Sequence, residues 1–457
     1  MSTGTITWVE ALEQRVRNVL AAHDLDGLRL LLAGRHPADI AEVIDRLDDD
    51  DKIRVFGLLA PALAADVLGE TSREATRELL EQLPADKAGD LLDRLPMDDV
   101  AEILSEDVPE RQQALLAAME PGDAAEVRAL LSYPPQSAGR LMTEKFVRVR
   151  PEMTAGETLV YLRHSDPEIE SFTDLYVLGP AQQLLGVAPL HAVVTAPPER
   201  RLDALMQSDV ITIAPTTDQE EVARLVARYD VLTLPVVAAS GQMLGIITVD
   251  DVIDVLVSES TEDVLRFAGI EGGPELDQPY FSVPLARVVR KRVGWLLLLF
   301  LAETFTGSVL RLFESELARV VALSFFIPLL IGTGGNTGAQ TVSTLIRGLA
   351  LGEIRLRDAP RVIGRELAGG ILLGLILGAV AFGRALLWGS SYALAGVVGL
   401  TIIAICTWAN TIGALIPLIA QKLKIDPAVV SAPLITTLVD ATGLAIYLLI
   451  AKVLLGL

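Results

Sequence analysis

The potential metal ligands in residues 284–457 are, apart from one cysteine, oxygen donors of the kind that bind hard metal ions. This segment has no His and no Met, and its one sulfur belongs to Cys406, the single cysteine of the chain. Copper and zinc are normally held by imidazole, thiolate or thioether groups. Carboxylate, hydroxyl, amide and carbonyl oxygens suit Mg²⁺ and Ca²⁺ instead. A metal that binds here is therefore expected to be Mg²⁺-like.

Asp440 is the main candidate ligand, because it lies deep in the apolar sequence APLITTLVDATGL. An ionisable side chain at such a depth in a bilayer costs about 2.5–3.5 kcal/mol, so a functional role is the first hypothesis. Pro433, a candidate pore-lining residue, is expected to free the carbonyl of Val429, and Thr436 lies one turn before the aspartate. The alternative is an Asp440 that is hydrogen-bonded to a neighbouring helix.

Two other segments are candidates for lining a pore. Residues 332–341, GTGGNTGAQT, contain glycines that weaken a helix and expose carbonyl groups. A membrane tolerates such backbone only where it is buried or lines a cavity. Gly334 and Asn336 are the candidates there. Tight packing through Gly334 and Gly338 is the alternative, and both interpretations could hold together. Asn410, in TWANTIGALIP, is a third candidate, and an interhelical hydrogen bond explains it equally well.

A run of acidic residues precedes the first long apolar segment. It consists of Asp250, Asp251, Asp254, Glu259, Glu262 and Asp263. With a rotation of about 100° per residue, Asp251, Asp254 and Glu262 fall on one helical face. Asp98 and Glu102, spaced i and i+4 in an earlier segment, could face this set. The pattern predicts a cation sensor, and the alternative is a merely solvated acidic helix.

Charge divides the chain at about residue 284. Residues 1–283 hold 51 acidic and 23 basic side chains, and residues 284–457 hold 8 and 15. The acidic first part disfavours nucleic acid as a partner and favours cations. A single cysteine excludes an intramolecular disulfide, and MSTGTITWVEALEQ does not have the pattern of a signal peptide. We find no nucleophile–base set or phosphate loop, so we do not expect an enzyme.

Internal repeats organise the first part. In residues 24–136 a Pro-Ala-Asp-like phrase recurs, with Pro in the first helical turn and Asp at its positive end, which predicts an α-solenoid. In residues 137–257 the sequence from Leu141, LMTEKFVRVRPEMTAGETL, recurs from Leu205 as LMQSDVITIAPTTDQEEV. Each copy is followed by a helix pattern, an apolar strand and a turn.

The second part contains five apolar stretches, each long enough to cross about 30 Å of hydrocarbon. They lie at 285–313, 317–350, 361–388, 392–421 and 428–456. Basic residues are concentrated before the first stretch and in the even-numbered links. The positive-inside rule then places the first part in the cytoplasm and the C-terminus outside a cell membrane.

The second part resembles the MgtE family of magnesium channels. The motifs that carry the resemblance are IGTGGNTGAQ, IRGLALGEI, WANTIGALIP, IDPAVVSAPL and TTLVDATGL. Residues 137–257 resemble a tandem pair of CBS domains, which are βαββα regulatory modules, through LM, the strand-Pro pair and LPVV…LGIITVDD. The resemblance implies a homodimer with one pore on its two-fold axis.

The resemblance also assigns individual residues. It implies that Asp440 is the pore acid, beside the carbonyl of Thr436, and that Asp426 is the acid at the cytoplasmic end of the fifth span. Further sensor positions of the family fall on Asp218, Glu220 and Asp230. Some positions depart from the family pattern, namely Ala432, His191, Ala192 and Val231. The last three lie where relatives hold a nucleotide, so ATP binding is doubtful.

We therefore predict a multidomain protein: a cytoplasmic α-solenoid, tandem α/β CBS domains, and an α-helical membrane domain of five transmembrane helices. The predicted boundaries are 1–23 for an N-terminal helix or tail, 24–136 for the superhelical N-domain, 137–257 for the CBS pair, 258–283 for an acidic connecting (plug) helix and linker, and 284–457 for the pore domain.

The predicted function is a Mg²⁺-selective channel that high internal Mg²⁺ closes. Selectivity against Mn²⁺, Co²⁺ and Ca²⁺ is left open. One alternative is a carrier that couples the cation to Na⁺ or H⁺, with Glu303, a second deep acid, as the coupling group; helix pairing is the other explanation of Glu303. Another alternative is a membrane-tethered nucleotide sensor that uses the CBS pair.

Overall fold

The computed structural model describes residues 8–105, 107–165, 169–270, 283–350 and 352–457. Their contacts form two compact units. The first contains the described residues up to Glu259 together with Val283, and the second contains those from Ser260 to Ile270 and from Pro284 to Leu457. Residues 1–7 of the predicted tail and 271–282 of the predicted linker lie outside the described residues.

The first unit begins with stacked short helices. They are α1 (Trp8–Ala21), α2 (Leu25–Leu32), α3 (Pro37–Asp45), α4 (Asp49–Phe56), α5 (Pro61–Glu70), α6 (Arg73–Gln82), α7 (Ala85–Leu92), α8 (Met97–Ser105), α9 (Pro109–Ala118) and α10 (Pro121–Leu131). From α3 onward each helix packs on the next but one, so α3, α5, α7 and α9 form one row and α4, α6, α8 and α10 a second. Two such rows make a solenoid, as the Pro-Ala-Asp repeat predicted.

The CBS pair follows. Its elements are α11 (Ala138–Leu141), β1 (Phe146–Val149), α12 (Ala155–Leu162), β2 (Ser171–Leu178), β3 (Leu184–Pro189), α13 (Leu190–Thr195), α14 (Gln219–Tyr229), β4 (Thr233–Val237) and β5 (Met243–Thr248). In the first repeat β1 pairs parallel with β2, and β2 pairs antiparallel with β3. The second repeat pairs β4 with β5 antiparallel, and its first strand is reduced to a parallel bridge between Ile213 and Val236. The Tyr176 hydroxyl joins the repeats by donating to Thr233 Oγ1 at 2.8 Å.

A single helix, α15 (Val249–Phe267), continues from the second CBS repeat. The predicted boundary at residue 258 lies inside this helix. Gly269, with φ +74°, adopts the left-handed conformation that ends many helices. The Ile270 amide then donates back to the Leu265 carbonyl at 2.9 Å, which closes the helix end.

The second unit contains helices long and apolar enough to cross a membrane, and there are five of them among the described residues. The helices of this unit are α16 (Leu285–Leu312), α17 (Glu314–Arg319), α18 (Ile327–Ala350), α19 (Ala359–Leu387), α20 (Tyr392–Lys422) and α21 (Ala432–Leu455). Short 3₁₀ turns at Val321–Phe326 and Leu356–Asp358 extend α18 and α19 at their N-terminal ends. The five predicted spans are confirmed.

Residues 332–341, GTGGNTGAQT, are helical in α18, although their glycines were expected to weaken the helix. These glycines instead permit close packing. A Cβ on Gly334 would lie 2.5 Å from Ile405 Cγ2, and a Cβ on Gly338 would lie 2.9 Å from Ile435 Cγ2. The alternative of tight helix packing is therefore the one that the structure supports.

Candidate functional site

The segment that leads into α21 is fixed by hydrogen bonds and by proline. The Ser431 side chain accepts from the Leu434 amide at 3.3 Å, and Pro433 stands in the first turn of the helix. Trp295 Nε1, on α16, donates to Ser431 Oγ at 3.1 Å. The carbonyl of Val429 lies before the helix and accepts from the Ser431 amide at 2.8 Å. The expectation that Pro433 frees this carbonyl was therefore wrong.

Asp440 lies two turns into α21, next to α18. A Cβ built on Gly335 would be 3.5 Å from Asp440 Oδ1 and 3.2 Å from Thr436 Cγ2, so both side chains border this glycine. Within the described part of the chain, no hydrogen bond or ion pair involves the Asp440 carboxylate. Glu303, on α16, is a second carboxylate within the long apolar helices of this unit. The alternative of an Asp440 hydrogen-bonded to a neighbouring helix is not what this structure shows.

Thr436 keeps its hydroxyl inside its own helix, where it donates to the carbonyl of Pro433 at 2.9 Å. Asn336, on α18, is exposed in the single chain. A carboxylate such as that of Asp440 is a ligand that suits a hard cation which keeps part of its water shell. Asp440, Thr436 and Asn336 remain predictions as ion-contacting residues.

Asn410 has a different role from the predicted one. It is 3% exposed, its Oδ1 accepts from the Thr341 hydroxyl at 3.0 Å, and its Nδ2 donates to Glu366 at 3.3 Å. These bonds join α18, α19 and α20, so Asn410 is the interhelical residue named as the alternative. Gly334 is likewise buried against Ile405, so we remove Asn410 and Gly334 from the pore-lining set.

The first unit brings together acids from three parts of the chain. Asp98 and Asp99 lie on α8, Glu170 precedes β2, and Asp251 lies on α15. Asp98 is 6% exposed, and its Oδ1 has no hydrogen-bond partner among the described residues. Glu170 accepts from the Thr143 hydroxyl at 2.7 Å, and Asp251 accepts from that of Thr248. We call Asp98, Asp99, Glu170 and Asp251 the acidic cluster.

Burial, with repulsion from neighbouring carboxylates as a smaller cause, raises the pKa of every acid in this cluster. Burial is the larger cause at Asp98, whose pKa lies well above its ordinary value, and the charge of Asp251 adds to it. The pKa of Asp99 rises to about 7 through burial and then Asp251. Burial also raises the pKa of Glu170 to about 7 and that of Asp251 to about 6. The cluster is therefore a place where negative charge is costly unless a proton or cation compensates it.

The sequence analysis expected Asp98 and Glu102 to face the acids of α15, and it missed Asp99 and Glu170. Asp99 adjoins Asp98 in PMDDVAEIL, so the run of two acids was a usable signal. Glu170 gave no signal, because only the fold brings it to α15. Among the described residues no three His, Cys, Asp or Glu side chains converge into a preformed metal site, so the cluster is not a rigid cage.

The other predicted sensor acids are more scattered. Asp218 is the N-cap of α14 and accepts from the Glu220 amide at 2.9 Å, while Asp230 ends that helix with φ +52°. Glu259 accepts from Gln219 Nε2 at 2.6 Å. Glu102 pairs with Arg73. These residues, with Asp250, Asp254 and Asp263, keep their sensor roles only as predictions.

Glu262 and Asp426 are paired with the same cation. The guanidinium of Arg266, near the end of α15, forms ion pairs with Glu262 on its own helix and with Asp426. Asp426 lies in the segment between α20 and α21, before the 3₁₀ turn Pro427–Val429. The second unit thus contains a direct contact between the connecting helix and the entry to the helix that carries Asp440.

Comparison with known proteins agrees with these features along nearly the whole chain. A family model described as "Divalent cation transporter" matches residues 327–450, one for the MgtE intracellular N domain matches 35–136, and a CBS domain model matches 202–258. A magnesium transporter MgtE from Thermus thermophilus is 40% identical over 98% of this chain and 99% of its own. This chain belongs to the MgtE family.

Other MgtE proteins show the same relationship. The magnesium transporter MgtE of Bacillus subtilis is 34% identical over 91% of this chain and 91% of its own length. The solved cytosolic domain of the Mg²⁺ channel MgtE, in complex with ATP, is 38% identical and has a TM-score of 0.51. It covers 53% of this chain and 99% of that domain.

Proposed function

We propose that this MgtE protein conducts Mg²⁺ across a cell membrane past Asp440 and that Mg²⁺ in the cytoplasm closes it. The Asp440 carboxylate, which has no hydrogen bond or ion pair among the described residues, carries the first half of this proposal. A charge within a membrane segment normally pairs with another group or marks an ion pathway. Two relatives that match over nearly their full lengths are magnesium transporters.

The chemistry near Asp440 favours a hydrated ion. Mg²⁺ dehydrates reluctantly and keeps several water ligands. Asp440 supplies one carboxylate. Gly335 beside it has no side chain, and any larger residue at that position would come close to Thr436 and to the carboxylate. In a homodimer, two such carboxylates facing each other across the axis would repel without a cation, which favours cation binding over anions.

A homodimer is supported by apolar side chains that the single chain leaves exposed. In the CBS pair these include Val160 and Tyr161 on α12, Val194 on α13, and Ile253 on α15 (53%, 44%, 56% and 53% exposed). Exposed apolar patches on folded domains mark interaction surfaces. Light scattering of the detergent-solubilised protein should give twice the mass of one chain.

The acidic cluster supports closure by cytoplasmic Mg²⁺. Its carboxyls repel one another, and each pair at close range contributes about 1 kcal/mol at dielectric constants between water and a protein surface. Several pairs approach the roughly 5.5 kcal/mol that moves a two-state equilibrium from 1:99 to 99:1. Mg²⁺ that neutralises these acids would hold α8 and α15 together and favour the closed arrangement.

Measuring ²⁸Mg²⁺ or dye-reported Mg²⁺ flux into liposomes at several internal Mg²⁺ concentrations tests both halves. Conduction with inhibition at millimolar internal Mg²⁺ is expected. Replacing Asp251, Asp254, Glu259 and Glu262 by Ala should shift inhibition to higher Mg²⁺ without changing the permeating ion. Superimposable inhibition curves would remove the sensor assignment.

A coupled carrier is the second candidate, because Glu303 is a second carboxylate within the apolar helices. In such a carrier Glu303 would take up H⁺ or Na⁺ as Mg²⁺ binds. Flux measured with and without a proton or sodium gradient separates the two mechanisms. A channel predicts flux that follows only the electrochemical gradient of Mg²⁺, and Glu303→Gln should then leave gradient dependence unchanged.

A further inference from the structure

Arg266 lies between two carboxylates that belong to different segments of the second unit. It pairs with Glu262 one turn earlier on α15 and with Asp426, 160 residues later in the chain. Arginine suits this position because its planar guanidinium presents several donors in a fixed fork. The three side chains remain partly accessible, at 35% for Arg266, 22% for Glu262 and 38% for Asp426.

The residues after Arg266 hold the end of α15 against the membrane helices. Phe267 packs on the apolar core of the second unit. A Cβ on Gly269 would lie 2.3 Å from Trp295 Cδ1, so this turn rests directly on the indole. Trp295 in turn donates to Ser431, the N-cap of α21. Arg266 is thus placed by packing on both α16 and the entry to α21.

Two carboxylates on separate segments are the arrangement that a divalent cation would bridge. In this structure a guanidinium supplied by the chain itself holds them instead. We propose that Arg266 is a built-in counter-cation, an autoinhibitory latch that fastens the connecting helix to Asp426 without a Mg²⁺ ion at that point. The proposal rests on the proposed closure by cytoplasmic Mg²⁺. The latch would stabilise the same closed arrangement by an ion pair that does not need Mg²⁺.

The latch has a definite consequence for inhibition. Without the guanidinium, Glu262 and Asp426 would lose the cation that they share, and α15 would leave this position more readily when Mg²⁺ is scarce. A Mg²⁺ ion would then have to supply the missing bridge. Loss of Arg266 should therefore raise flux at low internal Mg²⁺ and move half-inhibition to a higher Mg²⁺ concentration.

Full-length protein in liposomes tests this with three variants. Arg266→Gln should raise the internal Mg²⁺ for half-inhibition about threefold, as expected for a partly exposed ion pair. Arg266→Lys keeps the charge but loses the fork, so a smaller shift in the same direction is expected. Arg290→Gln is the matched control, because Arg290 is exposed on α16 and carries the same charge. Its inhibition curve should overlie that of the wild type.

A double-mutant cycle with Asp426→Asn identifies the partner. With each curve scaled to the maximal flux of its own variant, Asp426→Asn and Arg266→Gln should shift half-inhibition alike, and the double variant no further. Fully additive shifts, an unshifted Arg266→Gln, or a shift to lower Mg²⁺ would overturn the latch. If Arg266→Gln does not fold, an unshifted Arg266→Lys overturns it. A wild type that internal Mg²⁺ does not inhibit would overturn the proposed closure as well.

Discussion

Gly335 of α18 faces Asp440 of α21 across the contact between the two helices, and a methyl group on Gly335 would lie 3.5 Å from Asp440 Oδ1. The same methyl group would lie 3.2 Å from Thr436 Cγ2, tighter than most such contacts. The absence of a side chain at position 335 thus sets the space beside the carboxylate that we propose binds Mg²⁺.

Gly335→Ala should reduce Mg²⁺ flux severalfold, because its methyl group narrows the space beside Asp440, and Gly335→Val should reduce it further. The matched control is Gly332→Ala on the same helix, where an added Cβ meets nothing within 4 Å. Liposome flux of the three variants, at equal amounts of folded protein, is the measurement. Equal losses at positions 332 and 335 would mean that the effect comes from the helix and not from the site.

Lower pH should weaken inhibition by internal Mg²⁺. Mg²⁺ binds the deprotonated acids, and the pKa values of Asp99 and Glu170 are raised to about 7 by burial and neighbouring charge. Between pH 8 and pH 6 the deprotonated fraction of such a group falls from about 0.9 to about 0.1. Half-inhibition should therefore move to higher Mg²⁺, by up to about tenfold.

Glu170→Gln is the variant that checks this explanation, since the amide oxygen can still accept from Thr143. The variant should show a smaller shift of half-inhibition between pH 8 and pH 6 than the wild type. An inhibition curve that does not move with pH in the wild type would mean that the acidic cluster does not bind the inhibitory ion.

The same pKa values predict how stability depends on pH when Mg²⁺ is absent. The folded acids of the cluster keep their protons up to about pH 6–7, whereas unfolded carboxyls release theirs near pH 4. Between these limits the folded state binds more protons, so the free energy of unfolding should fall as pH rises. Thermal unfolding of the full-length protein should show this fall, and added Mg²⁺ should restore stability at pH 8. A cluster without effect would give melting curves that Mg²⁺ leaves unchanged.

Asn410 should matter for stability rather than selectivity. Asn410→Leu removes the bonds to Thr341 and Glu366 and leaves buried polar groups without this partner, which costs about 1–3 kcal/mol. The variant should unfold at lower temperature in detergent while its relative flux of Mg²⁺, Mn²⁺, Co²⁺ and Ca²⁺ is unchanged. Altered relative flux in a stable variant would return Asn410 to the pore.

ATP should bind weakly or not at all at millimolar concentration. By the family resemblance, His191, Ala192 and Val231 stand at positions where relatives hold a nucleotide. A related cytosolic domain was nevertheless solved with ATP. Calorimetry on the full-length protein is the measurement. Tight binding would show that other residues of the CBS pair hold the nucleotide.

Much of the architecture could be predicted because local sequence patterns determine it. Proline-started repeats indicated the solenoid, and five long apolar stretches indicated the spans. The helical course of residues 332–341 could not be predicted, because the glycines are stabilised by partners such as Ile405 and Ile435 that are distant in the sequence. Glu170 was missed for the same reason: its meeting with Asp251 is made by the fold.

Asp440 was predicted from its depth and type and from the family resemblance, but its surroundings were not. The sequence could not show that its carboxylate borders Gly335. It also could not show that Asp426 forms an ion pair with Arg266 of α15, 160 residues earlier in the chain. Both contacts depend on how helices pack, which no local pattern encodes. For Asp440 and Asp426 the structure therefore added the partners of acids that the sequence had already indicated.

Mg²⁺ flux through Asp440→Ala, in liposomes with protein shown to be folded and of wild-type oligomeric mass, tests the central claim most directly. Loss of Mg²⁺ flux is predicted, because the substitution removes the carboxylate that borders Gly335. Asp440→Glu should retain part of the flux with altered selectivity. Wild-type Mg²⁺ flux through Asp440→Ala would contradict the claim and place the ion pathway elsewhere.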